Sequence, residues 1–180
     1  MSMEFYGMFD YASGDGDEYK YTSAEFSNLI FALTGNGVSY NFGDRFAEVS
    51  HSGLDIVLGS GAVFINGRYA YDTHQTTLSA SAVGAGATRK DTVAAELDLA
   101  NRIIDLVIVE GTADNYPTLG ANQVALYNLT ITGGGSSSIS AVEDVRSFIY
   151  TSSVYPSTQV IYSTTTPTYV EGAIWLKPEV

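Results

Sequence analysis

The feature that most constrains the fold is the stretch at residues 61–71, GAVFINGRYAY, where two runs of strand-forming residues meet at Asn66 and Gly67. Asn-Gly is the strongest short signal for a two-residue hairpin, because a type I′ turn needs positive φ at both central residues and these two types tolerate it best. Side chains alternate along a strand, so Tyr69 and Tyr71 share a face after the turn. We predict an antiparallel hairpin here, with the other strands laid beside it.

The composition favours an all-β fold around that hairpin. The chain has 180 residues, 45% of them apolar, which allows one domain with a sizeable core and short tails. It is rich in turn formers and strand formers, with 18 Gly and 13 Tyr against only 8 Lys and Arg. We therefore predict a mainly β chain, with an antiparallel β-sandwich-like domain, one N-terminal α-helix and extended terminal tails.

The charge of the chain limits its partners. The formal net charge of −12 repels nucleic-acid phosphates and anionic membranes, so neither is an expected partner. The absence of cysteine excludes disulfides and thiolate metal sites. No apolar run approaches the ~20 residues of a membrane-spanning helix.

Residues 22–33 carry the clearest helix signal. Thr22 and Glu25 have the spacing of a capping box, and Gly35 stands where a helix commonly ends. The apolar residues at i, i+3, i+4 and i+7 form one stripe, which we expect to lie across a face or edge of the sheet: Phe26, Leu29, Ile30 and Leu33.

The remaining elements follow from alternation and turn residues. A tight turn is expected at 35–38. Strands are expected at 46–50, 54–58, 76–82, 92–99, 103–109 and 123–132. The apolar residues of the last strand keep period two only in part, which predicts a bulge near Tyr127 and Asn128. Residues 139–148 fit either a short helical turn or a strand.

The chain divides into three parts: an N-terminal arm at 1–21, a β-rich domain at 22–150, and an extended linker with a C-terminal segment at 151–180. Both tails are aromatic, and their aromatics must be covered by the domain itself or by a neighbouring subunit. Exposed apolar patches of this kind usually mark protein interfaces. We predict that the two tails, and not the β core, make the assembly contacts. Eight tail residues are expected to do so, with Trp175 the most buried: Phe5, Tyr6, Phe9, Tyr11, Tyr169, Ile174, Trp175 and Leu176.

The residues needed for catalysis or for cofactor binding are not grouped in the sequence. His51 and His74 have no neighbours at metal-ligand spacing, and Ser60 lacks the glycine pattern of a nucleophile elbow. The acidic cluster at residues 15–18 does not match a calcium-binding loop, which favours a solvated acidic loop. We therefore expect no enzyme activity, no cofactor and no metal site.

A series of short motifs, in order, resembles one family. The motifs are Glu25-Phe26-Ser27, Gly35-Asn36-Gly37-Val38, Gly53-Leu54, Gly61-Ala62, Ile65-Asn66-Gly67, Arg89 with Asp91 and Val93, Leu97-Asp98, Asn101-Arg102, Gly111-Thr112, Leu119, and Asp144 with Arg146. Over about residues 20–150 the chain resembles the N-terminal, virion-anchoring domain of baseplate and receptor-binding (tail fibre) proteins from tailed phages of Gram-positive bacteria.

This resemblance implies a structural, non-enzymatic protein of the virion tail or baseplate, in which residues 22–150 dock a fibre or receptor-binding protein. It also implies contacts with other virion proteins and with copies of the same chain, as a trimer or another symmetric oligomer. The alternative is a carbohydrate-binding module that contacts the host cell wall, since tyrosine and tryptophan faces bind sugars. The resemblance further places Arg89, Asp91, Asp144 and Arg146 near strand starts and the domain end. We expect at least one Asp–Arg pair to join distant parts of the fold, the alternative being two separate solvated pairs.

Overall fold

The computed structural model describes residues 23–150 in full and, further on, the backbone of two short strands. The elements, in chain order, are α1 (Ser23–Thr34), β1 (Gly37–Ser39), β2 (Glu48–Ser52), β3 (Asp55–Leu58), β4 (Gly61–Ile65), β5 (Arg68–Asp72), β6 (Thr76–Ser79), β7 (Thr88–Asp98), β8 (Ile103–Val109), β9 (Gln123–Gly133), β10 (Ser137–Asp144), β11 (Phe148–Ile149), β12 (Val160–Tyr162) and β13 (Ile174–Leu176).

The strands form a mainly antiparallel, sandwich-like arrangement. Three sheets make up the domain, with strand orders β11-β1-β4-β5, β10-β9-β7-β8 and β2-β3-β6. Within the domain only β1 and β11 pair in parallel, and β12 pairs in parallel with β13 outside it. The predicted fold class, mainly β with one helix in the described residues, is confirmed.

All three sheets contribute to one core. Its largest fully buried side chains come from both the short and the long strands: Val38, Ile56, Leu58, Val63, Ile65, Val93, Leu126, Leu129 and Ile131. In β9 the buried apolar residues change from even to odd positions between Leu126 and Leu129. The pairing explains this change, because Val93 faces Tyr127 while Ala94 faces Ala125, leaving Leu126 as the extra residue of a bulge. The bulge predicted from the sequence is therefore confirmed, one residue earlier than expected.

The hairpin at Asn66 and Gly67 is confirmed. Their φ angles are 50° and 71°, and β4 pairs with β5 from Ile65–Arg68 outward to Gly61–Asp72. The expectation that this hairpin is the centre of the fold is wrong, because β5 ends its sheet and the longest pairing joins the eleven-residue strands β7 and β9. Turn chemistry is a local signal and carries no information about which strands pair over long distances.

Several expected elements differ in extent. The expected tight turn at 35–38 leads directly into β1, which starts at Gly37. The strand alternative for residues 139–148 is the correct one, since they form β10 and the start of β11. Within the expected C-terminal linker, Val160–Tyr162 forms a strand.

The predicted helix is present as α1, but the expectation that its whole apolar stripe lies against the sheet is wrong, because only Leu29 and Ile30 of the four residues are partly buried. Phe26 and Leu33 are 60% and 75% exposed, whereas Ser27 is buried. The helix approaches the hairpin turn so closely that a Cβ added at Gly67 would overlap the carbonyl group of Ser27. This backbone contact needs small residues on both sides, so the helix turns Ser27 toward the domain, with Leu29 and Ile30 partly buried and Phe26 and Leu33 exposed. Thr22 of the predicted cap lies outside the described residues.

Candidate functional site

Two free strand edges face each other on one side of the domain. Among the described strands, β5 is the last strand of one sheet and β8 is the last strand of another. We call the space between them the β5–β8 cleft, defined by Arg68–Asp72 and by residues 103–107. The edge of a sheet presents backbone N–H and C=O groups that its own strands leave unpaired.

The sequence of β8 makes this edge unusual. Six of its seven residues, IIDLVIV, are apolar, yet none of the seven is fully buried. Ile104, Leu106 and Ile108 pack against the core, and the alternate residues, including Ile103, point away from it. Natural proteins usually protect apolar edges with charges, prolines or covering segments, and β8 has only Asp105 among its own residues.

Two hollows lie along the cleft. The larger, about 750 Å³, is next to the start of α1 and is lined by Ser23, Arg68, Tyr69, Leu99, Arg102 and Ile103 among others. The smaller, about 410 Å³, reaches the core side chain Phe46 and is lined by Val63, Tyr71, Asp72, Thr76 and Leu106 among others. Ala70, Ile104 and Asp105 line both hollows, so the two follow one another along the same strand pair.

Aromatic side chains stand on the outer face of β5. Tyr69 and Tyr71 are 65% and 61% exposed. Each rests against a second ring, Tyr69 against Phe64 at a centroid distance of 5.9 Å and Tyr71 against Phe42 at 5.4 Å. These ring contacts fix the tyrosines while leaving their outer faces open to a partner.

The cleft is polarised along its length. Arg68 and Arg102 line the hollow beside α1, and the Arg68 guanidinium donates to the carbonyl oxygen of Asn66 at 3.0 Å. Asp72 lies at the other end, where the backbone N–H of His74 and then the hydroxyl of Thr76 hold the pKa of its carboxyl below the ordinary value. The hollow beside α1 therefore carries two arginines and one carboxylate, Asp105, whereas the other hollow carries the two carboxylates Asp72 and Asp105.

An asparagine cluster holds the hairpin turn at the end of the cleft. The backbone N–H of Asn66 donates to the side-chain oxygen of Asn36 at 2.7 Å, and the Asn66 amide donates to the side-chain oxygen of Asn122 at 2.9 Å. The sequence identified Asn66 from its turn chemistry. Asn36 and Asn122 carry no local signal for this contact, because they are 30 and 56 residues away.

The four residues expected to form ion pairs do so, but each pair is local. Arg89 binds Asp91 through two nitrogens, at 2.8 and 2.7 Å, and Arg146 binds Asp144 at 2.9 Å. The expectation that an Asp–Arg pair joins distant parts of the fold is wrong, because both pairs connect residues only two positions apart. The hydrogen bonds that these residues make outside their own pair go to backbone groups, and the Arg89 guanidinium also lies 3.5 Å from the Glu110 carboxylate.

Asp91 makes one of these contacts from a fully buried position. It accepts a hydrogen bond from the backbone N–H of Gly111 at 3.2 Å, and Arg89 donates to the carbonyl oxygen of Ser81 at 3.0 Å. The hydrogen bond with Asp91 raises the pKa of the Arg89 guanidinium, so Arg89 stays positively charged. This pair joins β7 to the segments on either side of it.

Arg146 makes a similar connection at the domain end. Its guanidinium donates to the carbonyl oxygen of Arg45 at 2.7 Å and lies 5.1 Å from the ring centroids of Tyr127 and Phe148. The same guanidinium lowers the pKa of Asp144 through their side-chain hydrogen bond. The Tyr127 hydroxyl donates to the carbonyl oxygen of Phe46 at 3.0 Å, a contact with no sequence signal.

The predicted tail contacts are only partly described. Residues 1–22 and Tyr169 lie outside the described residues, including Phe5, Tyr6, Phe9, Tyr11 and the acidic cluster at 15–18. Ile174, Trp175 and Leu176 form β13, for which the backbone pairing with β12 is described. Their predicted roles in assembly stay predictions.

The described residues show no group of metal-ligating side chains. Among them, no three His, Cys, Asp or Glu side chains group as metal ligands, and every buried side-chain N or O atom has a hydrogen-bond partner. No helix in the part of the chain that the structure describes is long and apolar enough to cross a membrane.

Comparison with known proteins gives no match. No protein-family model, no curated protein and no solved structure matches this chain.

Proposed function

We propose that this chain is a structural protein of the tail or baseplate of a tailed phage, which docks or connects a fibre or receptor-binding protein. The observation that supports this proposal most is the exposed apolar surface of the domain. Two neighbouring elements, α1 and β5, carry four large side chains that are each at least 60% exposed: Phe26, Leu33, Tyr69 and Tyr71. Surfaces of this kind usually bind other proteins.

The edge of β8 adds a second type of contact. An apolar strand edge gains main-chain hydrogen bonds when a strand of a neighbour is added to it. The net charge of −12 disfavours nucleic acid as the partner, and a subunit of the same particle is consistent with it. The motif resemblance to virion-anchoring domains points to the same class of function.

The proposal is tested on purified particles of the phage that encodes the chain. Peptide mass spectrometry should find the chain in particles purified through two density gradients. Gold-labelled antibodies raised against residues 23–150 should bind at the tail end of the particle. Particles that lack the chain, or label found only in the unassembled protein fraction, would exclude a structural role in the virion.

A second candidate function is binding to cell-wall carbohydrate, which the two exposed tyrosines of β5 favour. Sugars stack on aromatic faces that are held in place, and the Phe42 and Phe64 rings hold Tyr71 and Tyr69 in this way. If this candidate is correct, the chain should sediment with purified cell walls, and Tyr69→Ala with Tyr71→Ala should abolish sedimentation. Tyr150→Ala, which changes an exposed tyrosine away from β5, is the matched control.

A further inference from the structure

We propose that Asn36 and Asn66 form one coupled site of spontaneous deamidation. Asn36 reacts first, and its conversion removes part of the hydrogen bonding that protects Asn66 in the hairpin turn. The proposal depends on the sequence and the geometry of the asparagine cluster, which consists of Asn36, Asn66 and Asn122, and it is independent of the proposed function.

The sequence supplies the reactive dipeptides, because Asn-Gly occurs twice, at Asn36-Gly37 and at Asn66-Gly67. In such a pair the backbone nitrogen of glycine gives up its proton to hydroxide and attacks the side-chain carbon of asparagine, Cγ. The new N–Cγ bond closes a succinimide ring, the Cγ–Nδ2 bond breaks, and the amide nitrogen takes up a proton and leaves as ammonia. Water then opens the ring to aspartate or isoaspartate. Glycine has no Cβ to hinder this attack.

The fold brings these two distant dipeptides into contact. The backbone N–H of Asn66 donates to the side-chain oxygen of Asn36 at 2.7 Å, and the Asn36 amide donates to the side-chain oxygen of Asn66 at 3.3 Å. A hydrogen-bonded side chain has to give up these contacts before its Cγ can turn toward the glycine nitrogen. Reaction at one asparagine therefore changes the protection of the other.

The two asparagines are held to different extents. The Asn66 amide makes two further hydrogen bonds, to the side-chain oxygen of Asn122 at 2.9 Å and to the carbonyl oxygen of Ala121 at 3.3 Å, and Asn66 is half-buried. Asn36 is exposed, and among the described residues its side chain bonds only to Asn66. Asn36 therefore has fewer contacts to lose and reacts first.

Conversion of Asn36 weakens the contacts of Asn66. A carboxylate at position 36 still accepts from the Asn66 N–H, but it has no donor for the Asn66 side-chain oxygen. Two oxygens then face each other at the 3.3 Å spacing of the former hydrogen bond. The Asn66 amide relieves this repulsion by rotating, which breaks its bonds with Asn122 and Ala121 and frees its Cγ for attack by the Gly67 nitrogen.

Conversion of Asn66 then acts on the contact between the turn and α1. Isoaspartate adds one atom to the backbone, and the two-residue turn that pairs Ile65 with Arg68 has no place for it. Gly67 lies against the carbonyl group of Ser27, so the helix has to move when the turn changes. Hydrogen exchange of the converted chain, separated by ion exchange, should be faster in α1 and unchanged in β7 and β9. Unchanged exchange in α1 would contradict this effect.

Peptide mass mapping of the full chain, incubated in mildly alkaline buffer, tests the order of reaction. We expect the peptide with Asn36 to convert before the peptide with Asn66. In concentrated guanidinium chloride, which removes the cluster, both should convert faster and at similar rates. Asn101 and Asn115, which are not followed by glycine, should stay largely unconverted. Conversion of Asn66 before Asn36 in the folded chain, or equal rates in the folded and unfolded chain, would overturn the assignment.

Two variants of Asn122 isolate the protection of Asn66. Asn122→Leu removes the acceptor and should raise the conversion rate of Asn66 by roughly three- to tenfold, whereas Asn122→Asp keeps an acceptor and should leave that rate low. A variant that does not fold is recognised because Asn36 also converts at the rate seen in guanidinium chloride. Equal Asn66 rates in the two folded variants would contradict the protection.

Asn36→Asp tests the coupling directly, because it fixes the product of the first reaction. Asn66 should then convert at least about threefold faster than in the unchanged chain. Asn115→Asp is the matched control, since it adds the same charge in the loop bound to Lys90, whereas the cluster is next to Leu97 at the other end of β7. An Asn66 rate that is the same in Asn36→Asp and in the unchanged chain would overturn the coupling.

Discussion

Gly67 shows how a single residue can be required for two separate reasons. Its φ of 71° is unfavourable for any residue with a Cβ, and a Cβ there would also overlap the carbonyl group of Ser27. We expect Gly67→Ala to lower the free energy of unfolding by more than about 3 kcal/mol, since left-handed strain alone costs about 1–3 kcal/mol. Chemical denaturation followed by fluorescence measures the change.

Two other glycines separate these two effects. Gly53 has a φ of 59°, and a Cβ added there would meet no atom within 4 Å, so Gly53→Ala should cost about 1 kcal/mol from strain alone. Gly84 also has open space and no left-handed φ, so Gly84→Ala should be close to neutral. Equal losses for Gly67→Ala and Gly53→Ala would show that the contact between α1 and the turn contributes nothing.

The aspartates of the two Asp–Arg pairs differ in burial, which predicts different contributions to stability. Asp91 is fully buried, and its removal leaves the mostly buried guanidinium of Arg89 and the N–H of Gly111 without this partner. We expect Asp91→Ala to lower the free energy of unfolding by about 3–5 kcal/mol. Asp144 is about half exposed, so Asp144→Ala should lower the free energy of unfolding by about 1 kcal/mol or less. Urea denaturation compares the two, and similar losses would contradict this account.

At this scale the sequence predicts residues whose role depends on their own backbone. Asn66 and Gly67 were identified correctly because positive φ is an intrinsic preference of these residue types. The distant backbone partners of Asp91 and Arg146 could not be predicted, since the fold brings Gly111 and Arg45 to them from other parts of the chain. Backbone acceptors and donors exist at every residue and give no sequence signal.

At the scale of elements, α1 illustrates the limit of periodicity. Capping and an apolar stripe predicted the helix, but the choice of its buried face depends on the element beside it. The backbone contact between Ser27 and Gly67 determined that face and left Phe26 and Leu33 outside.

This orientation predicts that substitutions of the exposed apolar residues have little effect on stability, whereas a larger residue at the buried serine destabilises the domain. Phe26→Gln and Leu33→Gln should each change the free energy of unfolding by less than about 0.5 kcal/mol, because both side chains are largely exposed. Ser27→Leu should lower it by about 1–3 kcal/mol, because the larger side chain has to fit into the contact with the hairpin turn. Thermal unfolding of the three variants measures both effects. If Leu33→Gln lowered the free energy of unfolding by several kcal/mol while Ser27→Leu left it unchanged, the apolar stripe would have to be the buried face of the helix.

For the molecule as a whole, composition predicted the fold class but not its organisation. A composition rich in glycine, tyrosine and β-branched residues favours antiparallel strands, whichever segments of the chain pair with one another. The orders β11-β1-β4-β5 and β10-β9-β7-β8 depend on pairings between distant segments, which one sequence does not reveal. The β5–β8 cleft, formed by strands from two different sheets, therefore had no sequence signal apart from the apolar composition of β8.

The central claim is that the domain is a unit of assembly whose terminal segments contact neighbouring copies. Sedimentation velocity of the full chain, compared with Trp175→Ala, tests this claim most directly. The unchanged chain should sediment as one defined oligomer, and Trp175→Ala should sediment as a smaller species with the same melting temperature. A monomer at every concentration of the unchanged chain, or the same oligomer for both proteins, would contradict the claim.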